Sequence, residues 1–509
     1  MVPTRSKQPR LQLHLSHARG SLEAATTTPD RHFIAPKALL AGTAAAIAVV
    51  AAGLFVLAQF ETPIRPPHIT WPWAMPFAAL LLAIATLPAL VPAWWQRFHG
   101  WLSGGLGIAA AALYMLRFGP GAIAQSAESL GTYIDFIITL GTLFVIGSAI
   151  EVRIHCAPSP RVNVLCLLAG ALLAGCLGTM GAAVLLARPF FRINRQHLAG
   201  RHVVFFVMIV ANVGGAITPL GDPPLLLGFL SGVPFWWITV HGWPAWLLAL
   251  VLLLTIFYAL DSRAAANLPA SSASLNESAV IISGLNQLAV LPLVLAALCL
   301  ASPWREMSLI VLAAVSLLIC PASLREANRF NFEPIAEVAV LFFGIFLTLA
   351  PVLNLLNNQS HNGQLTKYTA TPAASYFITG LCSSVLDNAP TYMAMLHSQL
   401  ITNTAPGNSK IVASVKIKIS PQKTLPSIQE QITTQLIDRN FARQLLAISL
   451  GAVFFGGLTW IGNGPNLLVR AITLQEGAAC PGFLSYLFRY ALPCLGTVLV
   501  IIGLLFFFR

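Results

Sequence analysis

Long stretches without a single charged residue recur along this chain of 509 residues. They include Ala38–Ala58, Val162–Ala187, Val203–Gly221 and Ala491–Phe508. About 20 apolar residues in a helix span the hydrocarbon core of a bilayer, so each stretch is long enough to cross it. Because backbone polar groups in lipid must be satisfied within the segment, these stretches predict an all-α integral membrane protein.

The composition points the same way. Charged residues make up 9% of the chain and hydrophobic residues 57%, whereas a soluble domain carries about 25% charged residues. The net charge of +12 resides mainly in short loops beside apolar stretches, a pattern that orients membrane proteins. We therefore expect a lipid bilayer as partner and no nucleic acid. The eight cysteines include no CxxC pair, which predicts neither a disulfide framework nor a metal site.

The distribution of basic residues predicts about 11 transmembrane helices and two re-entrant hairpins. A dense basic cluster follows Val162–Ala187 and would lie outside the cell if that stretch crossed the membrane; it comprises Arg188, Arg192, Arg195 and Arg201. A hairpin with its tip near Gly175–Gly181 keeps the cluster inside, as the positive-inside rule prefers. Glycines permit the tight turn. The second hairpin is predicted over Thr371–Ser398.

The same trace divides the chain into four parts. Residues 1–70 hold a basic tail followed by either a first helix or a signal-like segment, and both alternatives stay open. Residues 71–260 form a first repeat and 261–283 a cytoplasmic linker. Residues 284–509 form a second repeat, which includes a polar loop at 402–443.

Two glycine- and proline-rich segments match each other. Gly215–Pro224 aligns without gaps to Gly456–Pro465, and Asp222 is replaced there by Asn463. The trace runs the two copies in opposite directions, and inverted repeats with interrupted helices point to the binding site of a transporter. Two independently kinked helices are the alternative, but a kink does not require the threonine and the polar tip that both copies share.

The helix breaks offer groups that bind a cation and groups that bind an anion. Proline lacks an N–H group, so Pro219, Pro224, Pro390 and Pro465 leave carbonyl oxygens without helical partners. Such carbonyls, together with threonine hydroxyls, are hard oxygen donors for a small cation. The half-helix N-termini beyond each break instead attract an anion.

Two aspartates are expected at membrane depth. Asp222 lies at the first break and Asp387 lies in Leu386–Tyr392, inside the second predicted hairpin. An intramembrane carboxylate is costly and therefore a functional candidate. It can hold either a proton or a cation, so we expect Asp387 to exchange a proton for sodium, with Asp222 as second choice. Helix capping is the alternative for both.

The motifs Asn212–Pro224, Leu386–Tyr392 and Thr459–Asn466 resemble the ion transporter superfamily, especially the bacterial branch labelled sodium/proton antiporter or citrate transporter. The resemblance covers roughly Trp71 to the C-terminus. It implies that ions and substrate bind at hairpin tips and helix breaks. The residues that it assigns to binding are Thr179, Asn212, Thr218, Asp222, Asp387, Asn388, Thr391, Thr459, Asn463 and Asn466. The expected sodium site comprises Thr218, Asp222, Asp387, Asn388, Thr459 and Asn463.

The expected function is secondary active transport, with sodium/proton antiport by alternating access, in the inner membrane of a bacterium. Sodium and protons would be the coupling ions, with no cofactor, and a homodimer is compatible with these features. Gly178–Gly181 and Asp387–Pro390 stand where carboxylate-carrying relatives have a Ser-Asn-Thr signature, which favours a cation. A sodium-coupled carboxylate (citrate-like) or oxyanion (arsenite-like) transporter is the alternative. An enzyme is not expected, since no nucleophile–base pair is recognisable.

Overall fold

The computed structural model describes residues 69–266, 279–327, 330, 332–359, 371–404, 428–476 and 480–508. These residues form an almost entirely helical protein, as the uncharged stretches predicted. Residues 1–68, which hold nearly all of the predicted tail and the first helix or signal-like segment, lie outside the described residues.

The first half contains seven helices among the described residues. They are α1 Met75–Leu90, α2 Pro92–Phe118, α3 Pro120–Gly147, α4 Pro160–Ile193, α5 Gly200–Ile209, α6 Pro223–Leu230 and α7 Trp237–Ala265. A short 3-10 turn, Val213–Ile217, and an extended segment separate α5 from α6. We name the segment Val213–Asp222 break 1.

The second half adds ten helices in the described ranges. They are α8 Val290–Leu298, α9 Trp304–Ile319, α10 Ala322–Ala327, α11 Glu333–Gln359, α12 Pro372–Ser383, α13 Asn388–Thr404, α14 Ile428–Gln435, α15 Arg439–Phe455, α16 Gly464–Gln475 and α17 Phe483–Phe507, which contains π-helical turns. The segment Gly456–Asn463 between α15 and α16, which begins with a 3-10 turn, is break 2.

Eight helical segments of the described chain are long and apolar enough to cross a membrane. The all-α membrane class is therefore confirmed. The count of 11 spans stays a prediction, as do the directions in which the helices cross.

Two predicted loop regions contain regular structure. Within the predicted linker, α7 continues to Ala265, and strand β2 (Ala279–Ser283) pairs antiparallel with β1 (Glu151–His155). Asp261 lies on α7 and is buried. Its carboxylate accepts hydrogen bonds from Asn163 and Arg201 and pairs with His202, and these partners compensate for the burial of the charge. The C-terminal part of the predicted polar loop is also helical and forms α14 and the start of α15.

Helix α4 folds back on itself at Gly178, which has φ 81° and ψ 154°. Near its two ends, Asn163 Nδ2 donates to Asn194 Oδ1 at 2.9 Å, and Asn194 Nδ2 donates back to Asn163 Oδ1 at 2.8 Å. A straight helix of this length would hold its ends about 50 Å apart. The segment is therefore a closed hairpin, hairpin 1, and its re-entry into the membrane stays a prediction.

Helices α12 and α13 are joined by the short turn Ser384–Asp387 and form hairpin 2. Asp387 has φ 62°, a left-handed conformation that aspartate tolerates better than most side chains. Ser383 Oγ donates to Asn388 Oδ1 at 2.6 Å across this turn. Both hairpins thus turn at a residue with positive φ.

Two large hydrophobic cores pack these helices together. One combines side chains of α4, α5, break 1, α7, α15 and α17. The other combines α1, α3, α11, α13 and part of α15. Residues of both hairpin tips and both breaks line a cavity together with residues of α3 and α11.

The closed form of hairpin 1 is testable in a variant without the eight native cysteines. Asn163→Cys combined with Asn194→Cys should be joined rapidly by a short bifunctional thiol reagent, because the two side chains touch. The control pair Asn163→Cys and Leu177→Cys lies on one arm, about 21 Å apart along the axis, and should not be joined. Equal reactivity of the two pairs, measured by mass spectrometry, would contradict the hairpin.

Candidate functional site

The two breaks have the same backbone conformation. Thr218 has φ −139° and ψ 161°, and its counterpart Thr459 has φ −133° and ψ 164°. Asp222 (φ −145°, ψ 144°) likewise matches Asn463 (φ −152°, ψ 140°). Each break begins with a 3-10 turn and leads into a helix with proline in its first turn. The sequence match between the halves is thus also a match in local structure.

Each break is tied to one hairpin by its threonine. Thr218 Oγ1 donates to the Gly175 carbonyl in hairpin 1, and Thr459 Oγ1 donates to the Ser384 carbonyl in hairpin 2 at 2.6 Å. In both hairpins the acceptor stands three residues before the residue with positive φ. These threonine hydroxyls were expected to bind sodium. In the structure, each donates to a hairpin carbonyl and so holds its break against that hairpin.

Asp222 is the point at which these elements meet. Its Oδ1 accepts from Thr179 Oγ1 at 2.8 Å and from Asn463 Nδ2 at 3.2 Å. Its Oδ2 accepts from Asn388 Nδ2 at 2.8 Å. The side chain is 1% exposed and does not cap α6, although the residue stands at the N-cap position. The capping alternative for Asp222 is therefore wrong.

The orientation of the Asn463 amide follows from its neighbours. Nδ2 faces three acceptors, the Ala211 carbonyl, Asn212 Oδ1 and Asp222 Oδ1, at 3.2 to 3.3 Å. Its Oδ1 accepts no hydrogen bond within the described part of the chain, and the residue lines a cavity. An amide oxygen of this kind can coordinate a cation.

Asp387 combines capping with access to the same cavity. Its Oδ1 accepts from the Ala389 N–H at 3.3 Å, which caps the start of α13. The residue nonetheless lines the cavity together with Asp222. Thr391, also expected to bind the ion, donates its hydroxyl to the Asp387 carbonyl at 2.9 Å and so remains bonded to its own helix.

Asn212 and Asn466 brace the two breaks against each other. Asn212 Nδ2 donates to the Val207 carbonyl and to Asn466 Oδ1, at 2.9 and 2.8 Å. Asn466 Nδ2 donates to the carbonyls of Gly456 and Thr459, both at 2.9 Å. Both side chains are fully buried, so they set the geometry of the breaks.

The cavity has a volume of about 40 Å³. A water molecule needs roughly 10–15 Å³ measured in this way, so the space holds a few waters or a small ion. Its polar wall contains Thr179, Asp222, Asp387 and Asn463 and the backbone of hairpin 1. Its apolar wall is lined by Leu140, Leu143 and Phe144 of α3 and by Val338 and Phe342 of α11. None of the lining residues is lysine, arginine or histidine.

The helix N-termini at the cavity offer few donors to an anion. Helix α6 begins with Pro223 and Pro224, which have no N–H group. The next two amides, of Leu225 and Leu226, donate to the Asp222 carbonyl at 3.1 and 3.2 Å. Prolines also occupy the first turns of α13 and α16. The dipole ends expected to bind an anion thus offer fewer N–H groups than ordinary helix starts, above all at α6.

Sequence reasoning missed the apolar wall of this cavity. Leu140, Phe144 and Phe342 are ordinary apolar residues in long apolar helices, and nothing in their sequence context marks them as lining a site. Among the described residues, no group of three or more histidine, cysteine, aspartate and glutamate side chains could hold a metal ion. A sodium ion would instead depend on Asp222, Asp387 and Asn463, whose oxygens are of the hard type that such a cation prefers.

A family model described as "Putative citrate transport" matches residues 67–507. The match includes both hairpins, both breaks and every residue that lines the cavity. No curated protein matches the chain.

The hydrogen bonds from Thr218 and Thr459 to the hairpin carbonyls should contribute similarly to the free energy of unfolding. Thr218→Val and Thr459→Val each keep the side-chain shape but leave a hairpin carbonyl without its donor. We expect each to lower the free energy of unfolding by about 1–3 kcal/mol, measured by denaturant titration in detergent. The control Thr255→Val removes an exposed bond to the Val251 carbonyl of the same helix and should have little effect. Equal stability of all three variants would contradict a stabilising role of the Thr218 and Thr459 hydrogen bonds.

Proposed function

Since this chain belongs to the family described as "Putative citrate transport", we propose that it is a secondary active transporter that exchanges sodium for protons at the cavity between Asp222 and Asp387. It is a multi-pass membrane protein, and we place it in the cytoplasmic membrane of a bacterium.

The observation that carries this proposal is the charge of the cavity wall. Two carboxylates line it and no basic side chain does, so the local potential favours a cation. The cavity is also small, and the proline-rich helix starts offer few N–H groups. These features together support an inorganic cation more strongly than a multivalent anion.

Competition at the carboxylates would couple the two ions. A protonated carboxyl is a poor cation ligand, so a proton and sodium exclude each other at the same oxygen. Asp222 is the first choice for this exchange, because hairpin 1, hairpin 2 and break 2 all donate to it. Binding of a proton or a sodium ion at Asp222 therefore changes contacts with both halves of the protein. Asp387 contributes the second carboxylate of the cavity.

Alternating access would follow from the arrangement of the walls. The polar wall belongs to the hairpins and breaks, which are linked to one another by hydrogen bonds. The opposite wall, from α3 and α11, is apolar. Apolar contacts are not directional, so the hairpins and breaks can slide past this wall as a unit with little loss of specific bonding.

Sodium-coupled citrate transport is the second candidate, and the description of the family favours it. Citrate carries several negative charges, and the cavity in this conformation has neither the volume nor the basic side chains to hold it. This candidate would require a wider conformation in which donors from other elements reach the substrate.

The exchange is testable in proteoliposomes that contain a pH-sensitive dye. The protein should move protons when sodium is added outside, and Asp222→Asn and Asp387→Asn should reduce this to the level of liposomes without protein. Asparagine keeps the side-chain shape, so both variants should insert normally. Glu337→Gln, which neutralises an exposed carboxylate on α11, is the control and should retain exchange.

The same preparation separates the two candidates. Absence of a response to any alkali cation, together with sodium-dependent uptake of labelled citrate, would overturn the antiport proposal in favour of the second candidate. Full exchange by Asp222→Asn would show instead that the ion binds elsewhere.

A further inference from the structure

A second cluster of buried charges lies outside the cavity, between α3 and α9. The Arg305 guanidinium pairs with Asp135 Oδ2 through Nη2 and with Glu306 Oε1 through Nε, the latter at 2.9 Å. Glu306 is fully buried, and Asp135 lies in the middle of α3. Two carboxyl groups therefore share one guanidinium.

The other oxygens of this pair have no conventional partner. Asp135 Oδ1 and Glu306 Oε2 are both buried and accept no hydrogen bond. Both carboxyl groups nonetheless pair with the same Arg305 guanidinium and therefore lie next to each other. Ionised carboxylates are acceptors only, so a proton held between the two groups would satisfy both of these buried oxygens. With one proton, the pair and Arg305 are electrically neutral.

The surroundings provide no second counter-charge. Arg305 is the only other charged side chain that acts on either carboxyl among the described residues, and a Ser302 hydroxyl approaches Glu306. On the side of α3 that faces α11, the polar contact is a hydrogen bond from the Tyr133 hydroxyl to the Ala339 carbonyl. Loss of the proton would thus leave one uncompensated negative charge in a buried position.

Helices α3 and α9 hold this cluster in a fixed geometry. Thr142 Oγ1 of α3 donates to the Leu309 carbonyl of α9 at 3.2 Å. Near the C-terminal ends of both helices, Arg325 donates to the carbonyls of Val145 and Ser316, at 3.4 and 3.1 Å. Both contacts lie C-terminal to the carboxyl pair and hold α3 and α9 together beside it.

The cluster is close to the cavity along α3. Asp135 stands five residues before Leu140, a cavity residue, which corresponds to about 7.5 Å of helix. A change of charge at Asp135 would therefore be felt at the cavity through a medium of low dielectric constant. Packing alone does not require buried charges here, because apolar residues of similar volume stabilise a helix contact at least as well.

We propose that the Asp135–Glu306 carboxyl pair is a second proton-binding site, distinct from the cavity carboxylates. It binds one proton between Asp135 Oδ1 and Glu306 Oε2 and releases it to water, with no other bond formed or broken. Release adds one negative charge beside α3 and so favours a cation in the nearby cavity. This site goes beyond the proposed exchange at Asp222 and Asp387 and needs neither of those residues.

Infrared difference spectroscopy tests the site without any transport assay. Purified protein in liposomes is measured over a pH series in H₂O and D₂O, in a background that carries Asp222→Asn and Asp387→Asn. We expect a carbonyl band of a protonated carboxyl group that shifts in D₂O and disappears as the pH rises. Asp135→Asn or Glu306→Gln, added singly, should abolish this band, whereas the control Glu337→Gln should retain it.

Each amide substitution imitates the protonated carboxyl, so the variants should fold and keep their contact with Arg305, as checked by thermal unfolding. A band that persists at every pH would mean a fixed structural proton and would overturn the proposal. Absence of a band that depends on these residues would overturn it as well. Because the spectra require no sodium movement, failure of the proposed antiport would leave a titrating band intact, and the two results are distinguishable.

Discussion

The contacts of the Asp222 carboxylate are the constraint on which the rest of the site depends. Donors reach it from Thr179 at the tip of hairpin 1, from Asn388 at the start of α13 and from Asn463 in break 2. Hydrogen bonds to an ionised group are stronger than those between neutral groups. One side chain thereby joins three elements that are far apart in sequence, and any ion that changes its charge changes all three contacts together.

The repeats match in backbone but differ in charge. Asp222 and Asn463 occupy equivalent positions and face each other at 3.2 Å, with an amide N–H of one directed at a carboxylate oxygen of the other. A second aspartate at position 463 would place two carboxylates in contact and cause repulsion unless one bound a proton. The second carboxylate of the cavity stands instead at the tip of hairpin 2, as Asp387. The two breaks thus share a backbone conformation but differ in their distribution of charge.

The prolines at break 1 change the hydrogen-bonding groups of the helix start as well as its shape. Pro223 and Pro224 begin α6 and remove two N–H groups from a helix start that would otherwise attract an anion. The next two amides are taken up by the Asp222 carbonyl. The prolines that interrupt the helix therefore also remove nitrogen donors from the start of α6.

The sequence by itself determined the class of the fold and much of the site. Uncharged stretches required helices in a membrane, a basic cluster after Ala187 predicted hairpin 1, and the match between Gly215–Pro224 and Gly456–Pro465 identified the breaks. These signals are local, because hydropathy, charge and the missing N–H of proline act on neighbouring residues. The preference for Asp387 over Asp222 as the central carboxylate had no such local basis.

Only the tertiary structure decided which polar residues face the cavity. Thr218, Thr459, Asn212 and Asn466 carry suitable oxygens, but they are engaged in bonds between hairpins and breaks. The partners of Asp135, which lie 170 residues away on α9, also carry no mark in the sequence. The physical reason is that a side-chain hydrogen bond depends on the position of both partners, and helices distant in the sequence supply the second partner only after they pack.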